Sequence, residues 1–359
     1  MGWGKTVTFL PFGNRWQMHR KRLQTSFSNT NVRQWHSLQT IEARRTVRNL
    51  IKNPKSWETS LRRFAVAVIL QVSYGTEVLE DDDPYIQLVN DAMYATGNGG
   101  VPANSLVDLV PSARYLPDWI VRDWSLQFAR KWRWAIQKLH DVPFAAAQSE
   151  YQDWSLEDIK GAAGAVLIAG ADTTWATCTI FILNMVLYPM IQMKAQKELD
   201  AVIGTDRLPQ LSDRPSLPYI EHIVQEIYRV RLPSSRGVNT TIRWCGDCLI
   251  SVRTVVYANA RAIAHDERVY KDPHDFNPDR YQAGEPFPIG NFGFGRRICV
   301  GRYLADNSVW IMVATMLSTL QFCKKVDSDG TPIEPRVQFT NGGTWSVELS
   351  SSPHTQTLG

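Results

Sequence analysis

Several things are scarce in this 359-residue chain. Cysteine is one. The 5 cysteines are odd in number and scattered, which excludes a disulfide scaffold and suits a reducing compartment. Charge of one sign is another. The 39 basic and 35 acidic residues leave a formal net charge of only +4. There is no compact basic stripe, so no nucleic-acid partner is expected. No internal repeat or low-complexity tract interrupts the chain, which excludes solenoid and disordered classes. The opening MGWGKTVTFLPFG has one lysine and too short an apolar run for a signal peptide. The 7 histidines form no metal-spaced cluster.

What is abundant is aromatic. There are 13 Trp, 13 Phe and 12 Tyr, residues that line large apolar pockets and also fill cores. Hydrophobic residues make up 44% and charged ones 21%, a globular balance. The length suits two ordinary domains or one large one.

Periodicity predicts mostly helix. Helical patterns cover 15–28, 61–72 (ended by Gly75), 85–95, 123–139, 154–190, 191–203, 218–231 and 300–322. Within 123–139, Phe128, Trp132, Ile136 and Leu139 form an apolar stripe opposite Arg130, Lys131, Arg133 and Lys138. The longest stretch starts with a capping box, Ser155 followed by Asp158. It could span a membrane by length, but Asp172 at its centre argues for a buried core helix instead. Residues 249–260 read as strand. No βαβ alternation is present, so the class is mainly α with small sheets.

The sharpest local feature is Phe292-Gly293-Phe294-Gly295-Arg296-Arg297-Ile298-Cys299-Val300-Gly301. A lone cysteine stands at the start of a helix, after two glycines and two arginines. The helix dipole and the arginines favour a thiolate, which is a nucleophile and a soft metal ligand. The glycines let backbone approach something flat or bulky.

This decapeptide meets every fixed position of F-x-x-G-x-R-x-C-x-G, and through it the chain resembles the cytochrome P450 family of heme-thiolate monooxygenases. The resemblance implies heme b, iron protoporphyrin IX, with Cys299 as the axial ligand. It implies Arg297 on a heme propionate, Phe292 packed near the sulfur, and Gly301 closing the loop. Other family motifs follow in order. Ala169-Gly170-Ala171-Asp172-Thr173-Thr174 matches the distal-helix pattern. Small Ala169 and Gly170 leave room for dioxygen, and Asp172 beside Thr173 can relay protons. Glu226-Ile227-Tyr228-Arg229 matches E-x-x-R. Periodicity alone puts Glu226 and Arg229 in solvent, off the stripe of Ile220, Ile223, Val224 and Ile227. The resemblance instead joins them to Arg280 of Phe276-Asn277-Pro278-Asp279-Arg280-Tyr281 in a structural triad, with Tyr281 where the family usually has Phe. Trp16 and Arg20 match W-x-x-x-R and are implied to hold a propionate.

The resemblance runs from about residue 7 to about 345. Residues 84–145 and 254–306 look most like filamentous-fungal members of secondary metabolism, such as O-methylsterigmatocystin oxidoreductase. It implies O2, a small lipophilic substrate, electrons from NADPH through NADPH–cytochrome P450 reductase, and a monomer. Family chains also carry an endoplasmic-reticulum membrane anchor, first helices and most of a first sheet, absent here. The expectation is therefore one partial domain over 1–359, cytoplasmic-facing and cut short at its N-terminus. Residues 144–154 and 230–252 depart from the pattern, and the usual closing strand is missing. Cys245-Gly246-Asp247-Cys248 is read as incidental. A heme-binding remnant without turnover is the alternative reading. A thiolate-heme isomerase or dehydratase is a third, against which the intact Asp172-Thr173 pair argues.

Overall fold

The computed structural model describes residues 2–99, 105–146, 155–230, 237–238, 243–245, 247–250, 255–256, 258–335, 337–339, 347–349 and 354–357. Among them the helices are α1 (Asn14–Ser26), α2 (His36–Lys52), α3 (Trp57–Tyr74), α4 (Pro84–Gly97), α5 (Leu106–Leu109) and α6 (Trp124–Ala146). They continue as α7 (Leu156–Leu187), α8 (Pro189–Val202), α9 (Pro218–Val230), α10 (Ala260–Ala264), α11 (Asp279–Gln282) and α12 (Arg302–Leu317). The strands are β1 (Gly237–Val238), β2 (Arg243–Cys245), β3 (Cys248–Ile250), β4 (Val255–Val256), β5 (Leu320–Cys323), β6 (Val337–Phe339), β7 (Val347–Leu349) and β8 (His354–Thr357). They form antiparallel pairs β1–β4, β2–β3, β5–β8 and β6–β7. The class is mainly α with small sheets, as expected.

The chain divides into two compact units. The first holds Met1–His19, Arg62–Thr173 and Thr340–Thr344. Here α3 buries a continuous run from Phe64 to Leu70 and stops at Gly75, whose φ of +68° suits a residue without Cβ. Asp83 caps α4 by accepting the Tyr85 N–H at 2.9 Å. Helices α4 and α6 pack on each other, with the Tyr94 ring centroid 4.7 Å from that of Trp132. The predicted α6 stripe is present: Ile136 and Leu139 are fully buried, Phe128 and Trp132 half-buried.

The start of α7 is fastened by charge. Ser155 Oγ accepts the Asp158 N–H at 3.2 Å and donates to Asp158 Oδ2 at 2.6 Å. Asp158 Oδ1 also takes Arg15 Nε at 2.6 Å and lies 2.8 Å from buried His19 Nε2. Burial would raise the Asp158 pKa, but its bonds to Ser155, His19 and Arg15 hold it down at about 2.

Beyond that start, α7 is packed closely. A Cβ on Gly164 would stand 2.5 Å from the His140 ring, and one on Gly170 would stand 2.8 Å from Ile69. A Cβ on Gly161 would overlap the Lys5 carbonyl. The helix is long and apolar enough to cross a membrane, yet 67% of that apolar window is buried inside the protein. The core-helix expectation is consistent with this burial.

The second unit holds Arg20–Leu61, Thr174–Phe339 and Trp345–Gly359. Its centre is α12, buried continuously from Ser308 to Leu317, with α2, α8 and α9 packed on it. Helix α2 is missing from the periodicity reading. Its buried face is part polar, carrying Gln39, Glu42 and Thr46 among Ala43, Val47 and Leu50. Gln39 Nε2 donates to Leu304 O at 2.8 Å and Ser308 Oγ at 2.7 Å, so the polar residue is a bolt to α12.

One expectation is corrected here. Residues 249–260 are no single strand. They hold the end of β3, then β4, and α10 begins at Ala260. Strand β8 pairs with β5 from Leu320↔Thr357 to Cys323↔His354. The departures at 144–154 and 230–252 lie largely outside the described residues. Within them Cys245 and Cys248 face each other in register across β2–β3.

Candidate active site

The cysteine loop belongs to the second unit. Gly290, Gly293 and Gly295 have φ of +86°, +83° and +58°, values that side chains rarely tolerate, and they turn the chain back on itself. The Cys299 N–H donates to Phe292 O at 2.8 Å and closes the loop. Gly301 is the N-cap of α12. Cys299 is a free, part-buried thiol. Burial pushes its pKa up, against the Gly301 N–H and the charges of Arg20 and Arg302, which pull it down.

Two cations from outside the decapeptide also act on the sulfur: Arg20, from α1, and Arg302, the first residue of α12. Arg302 Nη1 also donates to Cys299 O at 3.1 Å and its guanidinium lies 4.3 Å over the Tyr303 ring. Arg297 is half-buried, and burial lowers its pKa from the ordinary value. With burial winning, the resting group is a thiol, and a metal cation is what would hold the thiolate.

The donor set fits an iron porphyrin. Among the described residues no group of three or more His, Cys, Asp or Glu could hold a bare ion. One soft thiol with no companion ligand suits a metal whose other positions a macrocycle already fills. Arg20 and Arg297 are cations of the kind that pair with carboxylates, and Arg20 already lies in the field of Cys299.

Beside the loop, α9 carries a buried charge cluster. Glu226 and Arg229 are fully buried, although their spacing puts them off the apolar stripe. Arg229 forks onto Glu226 with two bonds of 2.8 Å. Arg280 Nε reaches Glu226 Oε1 at 3.1 Å. Arg229 further donates to Ala264 O, Pro273 O and Asp275 O, at 3.0, 2.6 and 2.9 Å. Two members escaped the sequence reading. Glu285 accepts Arg280 Nη1 at 2.7 Å and supplies the second negative charge. The Tyr281 hydroxyl donates to Glu226 Oε2 at 2.7 Å, which gives the replacement of Phe by Tyr a bonding reason. Burial pulls the Arg280 pKa down, but Glu285 and Glu226 reverse this and leave it raised. Glu285 lies only five residues from Arg280, where the turn after α11 returns its backbone N–H to Arg280 O at 3.0 Å.

Trp16 and Arg20, four apart on α1, are both buried, with Leu23 on the same face and Lys21 and Arg22 exposed. In the first unit, Asp172 is buried, Ala169 is exposed, Thr173 is partly exposed, and Thr173 Oγ1 donates to Ala169 O at 2.7 Å. Such a bond back onto the helix is a common resting place for a threonine hydroxyl inside a helix. Gly170 abuts Ile69, so its missing side chain has a packing reason.

Comparison with known proteins follows the same line. The cytochrome P450 family model matches residues 1–342. A cytochrome P450 monooxygenase of Armillaria gallica is 33% identical, aligned over 95% of this chain and 73% of its own length. A tryptamine 4-monooxygenase of Psilocybe cyanescens is 32% identical over 95% of this chain and 74% of that protein. Among solved structures, a zebrafish cytochrome P450 with progesterone superposes with a TM-score of 0.76 at 23% identity, covering 99% of this chain and 85% of that one.

Proposed function

The chain belongs to the cytochrome P450 family, heme-thiolate monooxygenases that carry heme b, and on that premise we propose that it oxidises a small lipophilic substrate in fungal secondary metabolism. Electrons come from NADPH through NADPH–cytochrome P450 reductase. One oxygen atom of O2 enters a C–H or C=C bond of the substrate. The other leaves as water, with two electrons and two protons consumed. The fungal relatives support the setting, and the charge-poor, aromatic-rich composition supports a lipophilic substrate. We place the reaction in one domain over 1–359, acting as a monomer on the cytoplasmic face of a membrane.

The observation that carries this reading is Cys299, a lone thiol on a loop closed by the bond from its backbone N–H to the Phe292 carbonyl and set in the field of Arg20 and Arg302. Heme, when bound, supplies dioxygen activation at its iron. The protein does the rest. Cys299 Sγ would bind the heme iron, with Phe292 beside it and Gly301 ending the loop. Trp16, Arg20 and Arg297 would hold the propionates. The Glu226–Arg229–Arg280 cluster keeps the cysteine side rigid. Ala169 and Gly170 keep side-chain bulk low on α7. Asp172 and Thr173 pass protons toward the oxygen that leaves as water.

Reduction of the heme-loaded chain under carbon monoxide tests the assignment. The expected result is the red-shifted Soret band of a thiolate-ligated heme, lost in Cys299→Ala. A folded, heme-loaded wild type without that band overturns it.

A further inference from the structure

A second, part-buried charge cluster lies in the same unit, distinct from the Glu226 one. Arg214 forks onto Glu221 at 2.8 and 3.0 Å and reaches Asp306 Oδ2 at 2.7 Å. Asp306 sits in the second turn of α12, and Tyr228 on α9 donates its hydroxyl to Asp306 Oδ1 at 3.2 Å. The ring of the same tyrosine stands edge-on to Phe292, with centroids 5.4 Å apart and planes at 68°. Phe292 is the residue whose carbonyl takes the Cys299 N–H.

Tyr228 therefore touches both ends of the cysteine loop. Its ring meets Phe292 at the entry, and its hydroxyl meets α12 just past the exit. We propose that Tyr228, anchored by Asp306 and Arg214, is a positioning residue that clamps the two ends of the cysteine loop and sets the posture of Cys299. This rests on Cys299 being the ligand, but the clamp itself acts on the loop in the heme-free chain too. A hydroxyl bonded to a charged group is worth several-fold in an equilibrium, and an edge-to-face ring pair adds to it. Asp306 also receives the Arg214 charge, so the acceptor is fixed before Tyr228 docks.

The test uses the full-length chain and the variants Tyr228→Phe, Tyr228→Leu, Asp306→Asn and the Tyr228→Phe/Asp306→Asn double. Iodoacetamide labelling of Cys299, read by peptide mass spectrometry without heme, reports loop posture. The share of thiolate-type Soret band under carbon monoxide reports it with heme. Tyr228→Phe is expected to label about five-fold faster and to lose part of the thiolate band. Tyr228→Leu exceeds it. The double variant does less than the sum of the two single changes, because both remove the same Tyr228–Asp306 bond. Unchanged labelling and band share in both Tyr228 variants overturn the clamp, as do additive effects in the double. A wild type with no thiolate band sinks the ligand assignment instead, and labelling still decides the clamp.

Discussion

Helices α7 and α9 both carry candidate site residues and are held in opposite ways. In α7, three glycines at 161, 164 and 170 let neighbours come to within what a methyl group would need. In α9, by contrast, Glu226, Arg229, Tyr228 and Glu221 reach out to partners, and the helix is tied down by charged hydrogen bonds. The first arrangement resists added volume. The second resists lost charge. A segment expected to pass small molecules needs closeness without bulk, whereas a segment that backs a metal ligand needs fixed geometry. Charge networks fix geometry better than dispersion does, because their partners are few and directional.

The contrast breaks most sharply at Glu226. Glu226→Ala leaves Arg229 and Arg280 buried beside each other without the carboxylate they share. The expected loss is about 3–5 kcal/mol of stability, read as a collapse of the thermal transition and of heme uptake. A variant that melts within a few degrees of wild type contradicts the proposed weight of the cluster.

Next in size is added volume on α7. Gly161→Ala sets a methyl group against the Lys5 carbonyl, a backbone atom that cannot rotate away. A cost of about 1–3 kcal/mol is expected by denaturant unfolding, with a similar one for Gly164→Ala against His140. Neither change alters any charge. If both are neutral, close packing is not what seats α7.

The smallest effect tests whether the start of α7 borrows the charge strategy. The Asp158 carboxyl has a folded pKa of about 2, below its unfolded value near 4. Its contribution is therefore complete above about pH 4 and is lost as pH falls toward 2. Asp158→Asn is expected to cost about 2 kcal/mol at neutral pH and to flatten the acid limb between those values. A variant whose acid limb is as steep as that of wild type removes Asp158 from the account.

Much of this was legible along the chain. Long apolar runs, caps and breakers locate α3, α4, α6, α7 and α12, because a helix is specified by neighbours within a few residues. Helix α2 was not, since Gln39, Glu42 and Thr46 interrupt its apolar face, and only α12 shows why they are buried. Periodicity put Glu226 and Arg229 in water for the same reason. It counts apolar surface and cannot see a partner brought from 50 residues away. The bonds of Tyr281 to Glu226 and of Asp306 to Tyr228 join residues far apart in the chain, and no local pattern records them.

The sequence by itself determined the class of chemistry. The cysteine loop is contiguous, its glycines and thiol act within ten residues, and local chemistry survives being read as a string. Only the tertiary structure decided which charges surround that thiol. It brought Arg20 and Arg302 to the sulfur from outside the decapeptide, and it let burial outweigh them both. It also brought Tyr228 against both ends of the loop. Electrostatics and packing depend on distance in space, and distance along the chain does not report it.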